Sequence, residues 1–184
     1  MAEQDSAEND DADGERVDDP GDTDPPRVLV DVMCGSLATY LRMCGYDAAY
    51  ALDRDVEADD QLRQLAEREE RLLITRDREL AAQTDGTLLL TERDVLGQLR
   101  EVADAGYPVS LAAEPTRCGS CNGSVERIGT EGSSRDENER RPRPDYVPDP
   151  GPESPDRFWR CRDCDQWFWK GGHWASVAER LDET

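Results

Sequence analysis

At 184 residues the chain has room for one domain of about 100 residues and a smaller appendage. It holds no apolar run of about 18 residues and no charged-then-apolar leader, which excludes a spanning helix and predicts a cytoplasmic protein; in that reducing compartment its six cysteines are tested as metal ligands before disulfides. Forty-three Asp and Glu against 22 Lys and Arg give a net charge of -21, with Lys170 the single lysine, a balance suited to molar salt, where the Debye length shrinks to about 3 Å and carboxylates hardly repel one another.

The acidity is read as a halophilic habitat, against the competing reading of a nucleic-acid mimic. In such salt, long-range attraction to phosphate is weak for any protein, so local contacts must carry binding. Residues 1–26 combine eleven acids and a single arginine with Pro20, Pro25 and Pro26 and show no apolar periodicity, which predicts a disordered acidic leader. Val28, Leu29 and Val30 then form a strand ending in Asp31, followed by a helix with Leu37, Leu41 and Cys44 on one face and Gly45 as its stop. A weaker strand at residues 46–52 leads through an acidic loop into a helix over about 59–70, whose inward face is Leu62, Leu65 and Ala66. Leu72, Leu73 and Ile74 make a buried strand closed by Thr75, Arg76 and Asp77, with a short helix over 78–82. Residues 87–90 are another strand, and Val95, Leu96, Leu99, Val102 and Ala103 line a helix that stops at Gly106. Continuous apolar strands alternating with helices predict an α/β, Rossmann-like domain over 27–113, its mostly parallel sheet covered on both faces.

The remainder, 114–184, reads as a zinc ribbon. Cys118 with Cys121 and Cys161 with Cys164 are two CxxC knuckles, and two such turns complete a tetrahedral sulfur shell that leaves no open position, so the zinc is structural. Between the knuckles the stretch from Asn122 to Arg160, with six prolines from Pro142 to Pro155, is expected to be largely irregular, a Pro/Gly-rich insert at about 129–156. Cys34 and Cys44 are read as small buried side chains. All four tryptophans, Trp159, Trp167, Trp169 and Trp174, crowd around the second knuckle with Phe158 and Phe168, either to stack on unpaired bases or to build the ribbon's core. Lys170 and the only histidine, His173, stand in the same segment, as candidates for phosphate contact or proton transfer, or as a surface lysine beside a packed histidine. The final residues, 175–181, fit one short amphipathic helix.

In an open parallel sheet, groups at the carboxyl ends of strands converge on one crevice. Asp31 and Asp77 stand at such ends, and Asp59 begins the helix that feeds the second of these strands. Three neighbouring carboxylates repel one another unless cations lie between them, and hard oxygen ligands select magnesium or manganese; such a site hydrolyses phosphodiesters without histidine. Against this stand ordinary roles, Asp59 as a helix N-cap and Asp77 as a turn residue. Glu79 is a further candidate ligand, and Arg42 and Arg76 are candidate phosphate clamps.

The run Val-Asp-Val-Met-Cys-Gly-Ser-Leu-Ala-Thr-Tyr-Leu-Arg-Met-Cys-Gly-Tyr-Asp from Val30, Leu-Leu-Ile-Thr-Arg-Asp-Arg-Glu-Leu-Ala from Leu72, and Phe-Trp-Arg-Cys with Trp-Lys-Gly-Gly-His-Trp near the end resemble the Mut-7 C-terminal RNase family, a branch of the PIN-like nucleases, over residues 27 to 181. The resemblance implies a PIN-like fold and a metal-dependent ribonuclease. Asp31, Asp59 and Asp77 match the acidic positions, and Glu79 stands where relatives often have Asp. The expectation is an endoribonuclease in which Asp31, Asp59 and Asp77 hold divalent metal, with Glu79 a further catalytic candidate, while the ribbon, with Lys170, positions single-stranded or structured RNA. The alternative is a non-catalytic RNA- or ribosome-binding adaptor.

Overall fold

The structure, a computed structural model, describes residues 25–128, 144–149 and 157–182. All but the last two residues of the acidic leader, and most of the insert, lie outside these residues. The first part contains four parallel strands, β1 Val28–Val30, β2 Ala48–Tyr50, β3 Leu72–Thr75 and β4 Thr87–Leu89, separated by α1 Gly35–Met43, α2 Asp59–Arg68 and α3 Arg78–Ala82 and followed by α4 Val95–Asp104. They pair in the order β2-β1-β3-β4, with Val28 opposite Ala48 on one side and Leu72 on the other.

Successive strand residues point to opposite faces, which divides the apolar side chains between two cores. Val28, Val30 and Ile74 pack with Leu37 and Leu41 of α1 and Leu99 and Val102 of α4, whereas Leu29 and Leu73 pack with Leu62 and Leu65 of α2 and Leu80 of α3. Burial on both faces is why these strands read as unbroken apolar runs. From β1 the chain passes through α1 to β2 on one side; α2, on the opposite face, then carries it to β3 on the other side of β1. The sheet order therefore reverses between β1 and β3.

The second part is an antiparallel sheet, β5 Val125–Ile128, β6 Phe158–Cys161 and β7 Trp167–Trp169, in that order, with α5 Gly172–Asp182 closing the chain. β5 corrects the expectation of irregular chain after Asn122. Its sequence has no apolar run, and it is held instead by pairing with β6, where Glu126 faces Arg160 across the ladder and receives its guanidinium at 2.9 Å. Val147, inside the expected insert, is buried with Phe158 and Trp167 in the ribbon's small core. α5 is longer than the periodicity indicated and serves the other part: Val177 and Leu181 are buried in the layer of α1 and α4, and Arg180 donates to Tyr40 Oη at 3.2 Å. Among the described residues no helix is long and apolar enough to cross a membrane.

Two polar staples fasten the ribbon to the sheet. Arg42, 3% exposed, donates from Nε to the Ala48 carbonyl (2.8 Å), from Nη1 to the Gly119 and Ser120 carbonyls (3.0 and 2.9 Å) and from Nη2 to Asp53 Oδ2 (3.0 Å). Asn122 accepts the Ala48 N–H at 3.0 Å and donates to Asp47 Oδ1 at 2.7 Å. The first knuckle thus covers the outer edge of β2, whose backbone groups need partners.

Asp47 also receives Arg71 Nη1 at 2.8 Å and stands 3.6 Å from Arg117 Nη2. Burial pushes its carboxyl up, but the hydrogen bonds from Arg71 and Asn122 and the charges of Arg71 and Arg117 outweigh burial and hold it at about 2, against an ordinary 3.8. A carboxyl depressed on folding contributes stability that is fully present above the ordinary value and disappears as pH falls through the lower one. Asp47→Asn is therefore expected to cost about 2 kcal/mol at neutral pH and to cost nothing below pH of about 2. Urea unfolding of both proteins across that acid range checks this; a gap that does not close on acidification would remove Asp47 from the staple.

Candidate functional site

The carboxyl ends of β1 and β3 meet where the sheet order reverses, the place where an open parallel sheet gathers ligand-binding groups. Asp31 directly follows β1 and is 3% exposed; its Oδ2 accepts the Thr75 hydroxyl at 2.6 Å. The same hydroxyl oxygen accepts the Asp77 N–H at 2.9 Å. One buried threonine thus ties Asp31 and Asp77 to a common rim. Sequence reasoning missed this link, whose only signal was a polar residue closing the run Leu72, Leu73, Ile74.

Asp77 also fills the ordinary role weighed for it. Its Oδ1 caps α3, accepting the Glu79 N–H at 2.7 Å and the Leu80 N–H at 2.9 Å. Asp59 is not a cap: Ala58 holds that position, and Asp59 is the first helical residue, exposed, as is Glu79. Because α2 runs back toward the start of β3, its first turn lies at the same end of the sheet as Asp31. The carboxylates are nevertheless not drawn into one coordination shell. Among the described residues, the group of three or more potential ligands whose atoms lie within 4.8 Å of one another is the four cysteines alone.

Arg76 follows Thr75, half-buried, with a buried Nε that has no hydrogen-bond partner. Its charge acts on two neighbours, Cys34 and Glu101. Burial, and next the charge of Asp31, push the Cys34 thiol up to about 11, and burial takes Cys44 to about 12, so both are neutral small side chains at pH 7. Glu101 was also missed by sequence reasoning. Burial opposes its ionisation, but hydrogen bonds from the Thr91 hydroxyl and from the Thr91 and Glu92 N–H groups lower its carboxyl, which fastens the turn after β4.

The two knuckles bring Cys118 Sγ to 3.6 Å from Cys164 Sγ and Cys121 Sγ to 3.5 Å from Cys161 Sγ. Sulfurs around a tetrahedral zinc at 2.3 Å stand about 3.8 Å apart, so the four can hold a zinc ion. The residue after each second cysteine, Asn122 and Asp165, takes a left-handed conformation, with φ of 66° and 59°, which Asn and Asp tolerate better than other side chains. A Cβ on Gly123 would stand 3.0 Å from Cys161 Sγ and would displace the Asp163 carboxylate, so a glycine here keeps the knuckles close without rearrangement.

Between α1, the end of β2 and the ribbon lies a cavity of about 770 Å³. The aromatics divide between the ribbon's core and the wall of this cavity. Phe158 and Trp159 are buried, and Trp167 belongs to the ribbon core while edging the cavity; Phe168, Trp169 and Trp174 are half-buried and line it. A Cβ at Gly35 would approach Tyr50 Oη to 2.7 Å, so glycine is needed for the Tyr50 ring to lie across the start of α1, where its hydroxyl donates to the Val32 carbonyl at 3.1 Å. Burial, then Asp53, Asp31 and Cys34, raise the Tyr50 phenol.

His173 is exposed and lines the cavity. Lys170 donates to the Ala113 carbonyl and lies 5.5 Å from the centre of the Trp174 ring, so it steadies that wall. Arg42 spends four of its five N–H groups on the protein itself, which makes it a staple instead of the expected phosphate clamp. A family model described as Mut7-C RNAse domain matches residues 26–181. No curated protein and no solved structure matches the chain.

Proposed function

From the premise that the chain belongs to the Mut7-C RNAse domain family, we propose that it is a divalent-metal-dependent endoribonuclease with a PIN-like α/β domain, working in a salt-rich cytoplasm. The observation that carries the reading is the buried Asp31 carboxylate at the reversal point of the sheet, linked to Asp77 through Thr75. Magnesium needs only one or two protein carboxylates, with water and substrate phosphate completing its shell, so Asp31 and Asp77 suffice as donors without Asp59 and Glu79. Bound there, magnesium or manganese supplies activated water and neutralises charge in phosphodiester hydrolysis. Thr75 keeps the Asp31 carboxylate in a fixed orientation, and Arg76, half-buried directly after Thr75, supplies the positive charge for the phosphate. Asp59 and Glu79, exposed at the same end, act from outside the first ligand shell.

Asparagine is as good an N-cap as aspartate, so Asp77→Asn removes charge and spares α3. With labelled single-stranded RNA and manganese in high salt, it is expected to slow cleavage at least about tenfold with an unchanged unfolding midpoint. Equal cleavage by variant and parent would remove Asp77 from the site. The dispersed carboxylates favour one rival, an RNA- or ribosome-binding adaptor; binding of RNA by the parent with no metal-dependent cleavage is its signature.

A further inference from the structure

We propose that the cavity between α1, β2 and the ribbon is a subsite for unpaired nucleobases of RNA, an inference that rests on the ribonuclease reading and specifies how the substrate is held. Its volume of about 770 Å³ is in the range of sites that enclose a drug-sized ligand, which corresponds to roughly one or two nucleotides. Phe168, Trp169 and Trp174 supply aromatic walls, and stacking on such faces is open to every base. Gly171 and Gly172 form an edge with no side chain, and a Cβ added at Gly172 would meet nothing within 4 Å. The charged lining is neutralised within the protein, Arg42 by Asp53 and Arg117 by Asp47, which leaves the aromatic faces as the surface offered to a ligand.

Position completes the case. Tyr50 lines the cavity, and its hydroxyl is bonded to the carbonyl of Val32, the residue after Asp31. Tyr50 thus joins the wall of the cavity to the segment that follows Asp31. His173, exposed on the lining, offers ring nitrogens to a base edge or a phosphate. A base already paired in a duplex cannot enter, which makes the subsite selective for single strands.

The test uses the full zinc-loaded chain carrying Asp31→Asn and no added magnesium or manganese, so that cutting of the probe is minimised, and follows fluorescence anisotropy of an end-labelled eight-nucleotide single-stranded RNA. Trp174→Phe keeps a π face, whereas Trp174→Leu keeps apolar bulk without one. Trp174→Phe is expected to bind within a few-fold of the parent, and Trp174→Leu roughly 5- to 100-fold more weakly. The same RNA as a duplex binds at least about tenfold more weakly than the single strand. Affinity for the single strand changes little from low to molar salt, because stacking, not neutralised phosphate, supplies it. Equal affinities for the Phe and Leu variants, equal affinities for single strand and duplex, or a steep loss with salt each overturn the subsite. The two readings fail separately. Cleavage by the Asp31 form with Trp174→Leu unchanged in binding and KM leaves the nuclease and removes the subsite, whereas the expected binding pattern without cleavage does the reverse.

Discussion

Asp31→Asn is expected to lower the rate of RNA cleavage by at least about 10²- to 10³-fold while the protein stays folded. Asparagine matches aspartate in shape and retains an oxygen to accept the Thr75 hydroxyl, so the 2.6 Å contact and the chain of bonds to the Asp77 N–H survive. What is lost is a negative charge that the fold keeps 97% out of solvent, at the end of β1. Keeping an ionised carboxylate there is costly, since only one hydroxyl donates to it among the described side chains. Removing the charge is therefore expected to leave stability unchanged or to raise it by up to about 1 kcal/mol. That opposition between activity and stability separates a working carboxylate from a structural one, whose loss would reduce both. Initial cleavage rates and urea midpoints measured on the same preparations decide it. A variant that cuts RNA at the parent's rate ends the role of Asp31, and one that loses activity only because it unfolds makes the residue structural.

How much of this was written in the sequence depends on whether a feature is recorded in local periodicity. β1, β3 and α3, and the inward face Leu62, Leu65 and Ala66 of α2, were legible because two-sided or one-sided burial imprints itself on successive residues. α4 was legible in extent but not in every lining residue. Ala103 is exposed, whereas Gly97 and Gln98 are buried: the Gln98 amide closes on the Glu92 and Arg93 carbonyls, and a Cβ at Gly97 would strike Glu92. Those are polar and steric constraints that hydrophobic periodicity does not record. The four cysteines declared themselves by spacing, but β5 and Val147 did not, since their partners lie across a long intervening chain. The same holds for the rim. Asp31 and Asp77 were visible as strand-end acids, yet the Thr75 hydroxyl between them is a contact across 44 residues, and the docking of Val177 and Leu181 on the first core is longer still.

The four-cysteine cluster, which can hold a zinc ion, is where loss of a single component is expected to reach furthest. Stripping the metal under denaturant-free conditions, or replacing Cys161 with Ser, should release one zinc per chain and unfold the ribbon, because structural zinc supplies on the order of 10–16 kcal/mol to a segment of this kind. Among the described residues its own buried apolar cluster is small, Val147, Phe158 and Trp167, supported at the margin by Ile128 and Trp169. Trp159 and Trp167 would pass from buried surroundings to water, so tryptophan emission should shift to the red as zinc leaves. The damage does not stop at the ribbon. Arg42 is buried in the first part of the chain, and two of its four acceptors are the Gly119 and Ser120 carbonyls within the first knuckle. If the knuckle opens, a guanidinium designed for four partners keeps the Ala48 carbonyl and Asp53, and each unmade bond to a buried charged group costs roughly 1–3 kcal/mol. The α/β part should consequently unfold at lower urea in the metal-free protein, and zinc returned to the stripped chain should restore both the emission and the midpoint. Stripped protein that keeps blue-shifted emission and the parent's midpoint would show that the four sulfurs hold nothing the fold depends on.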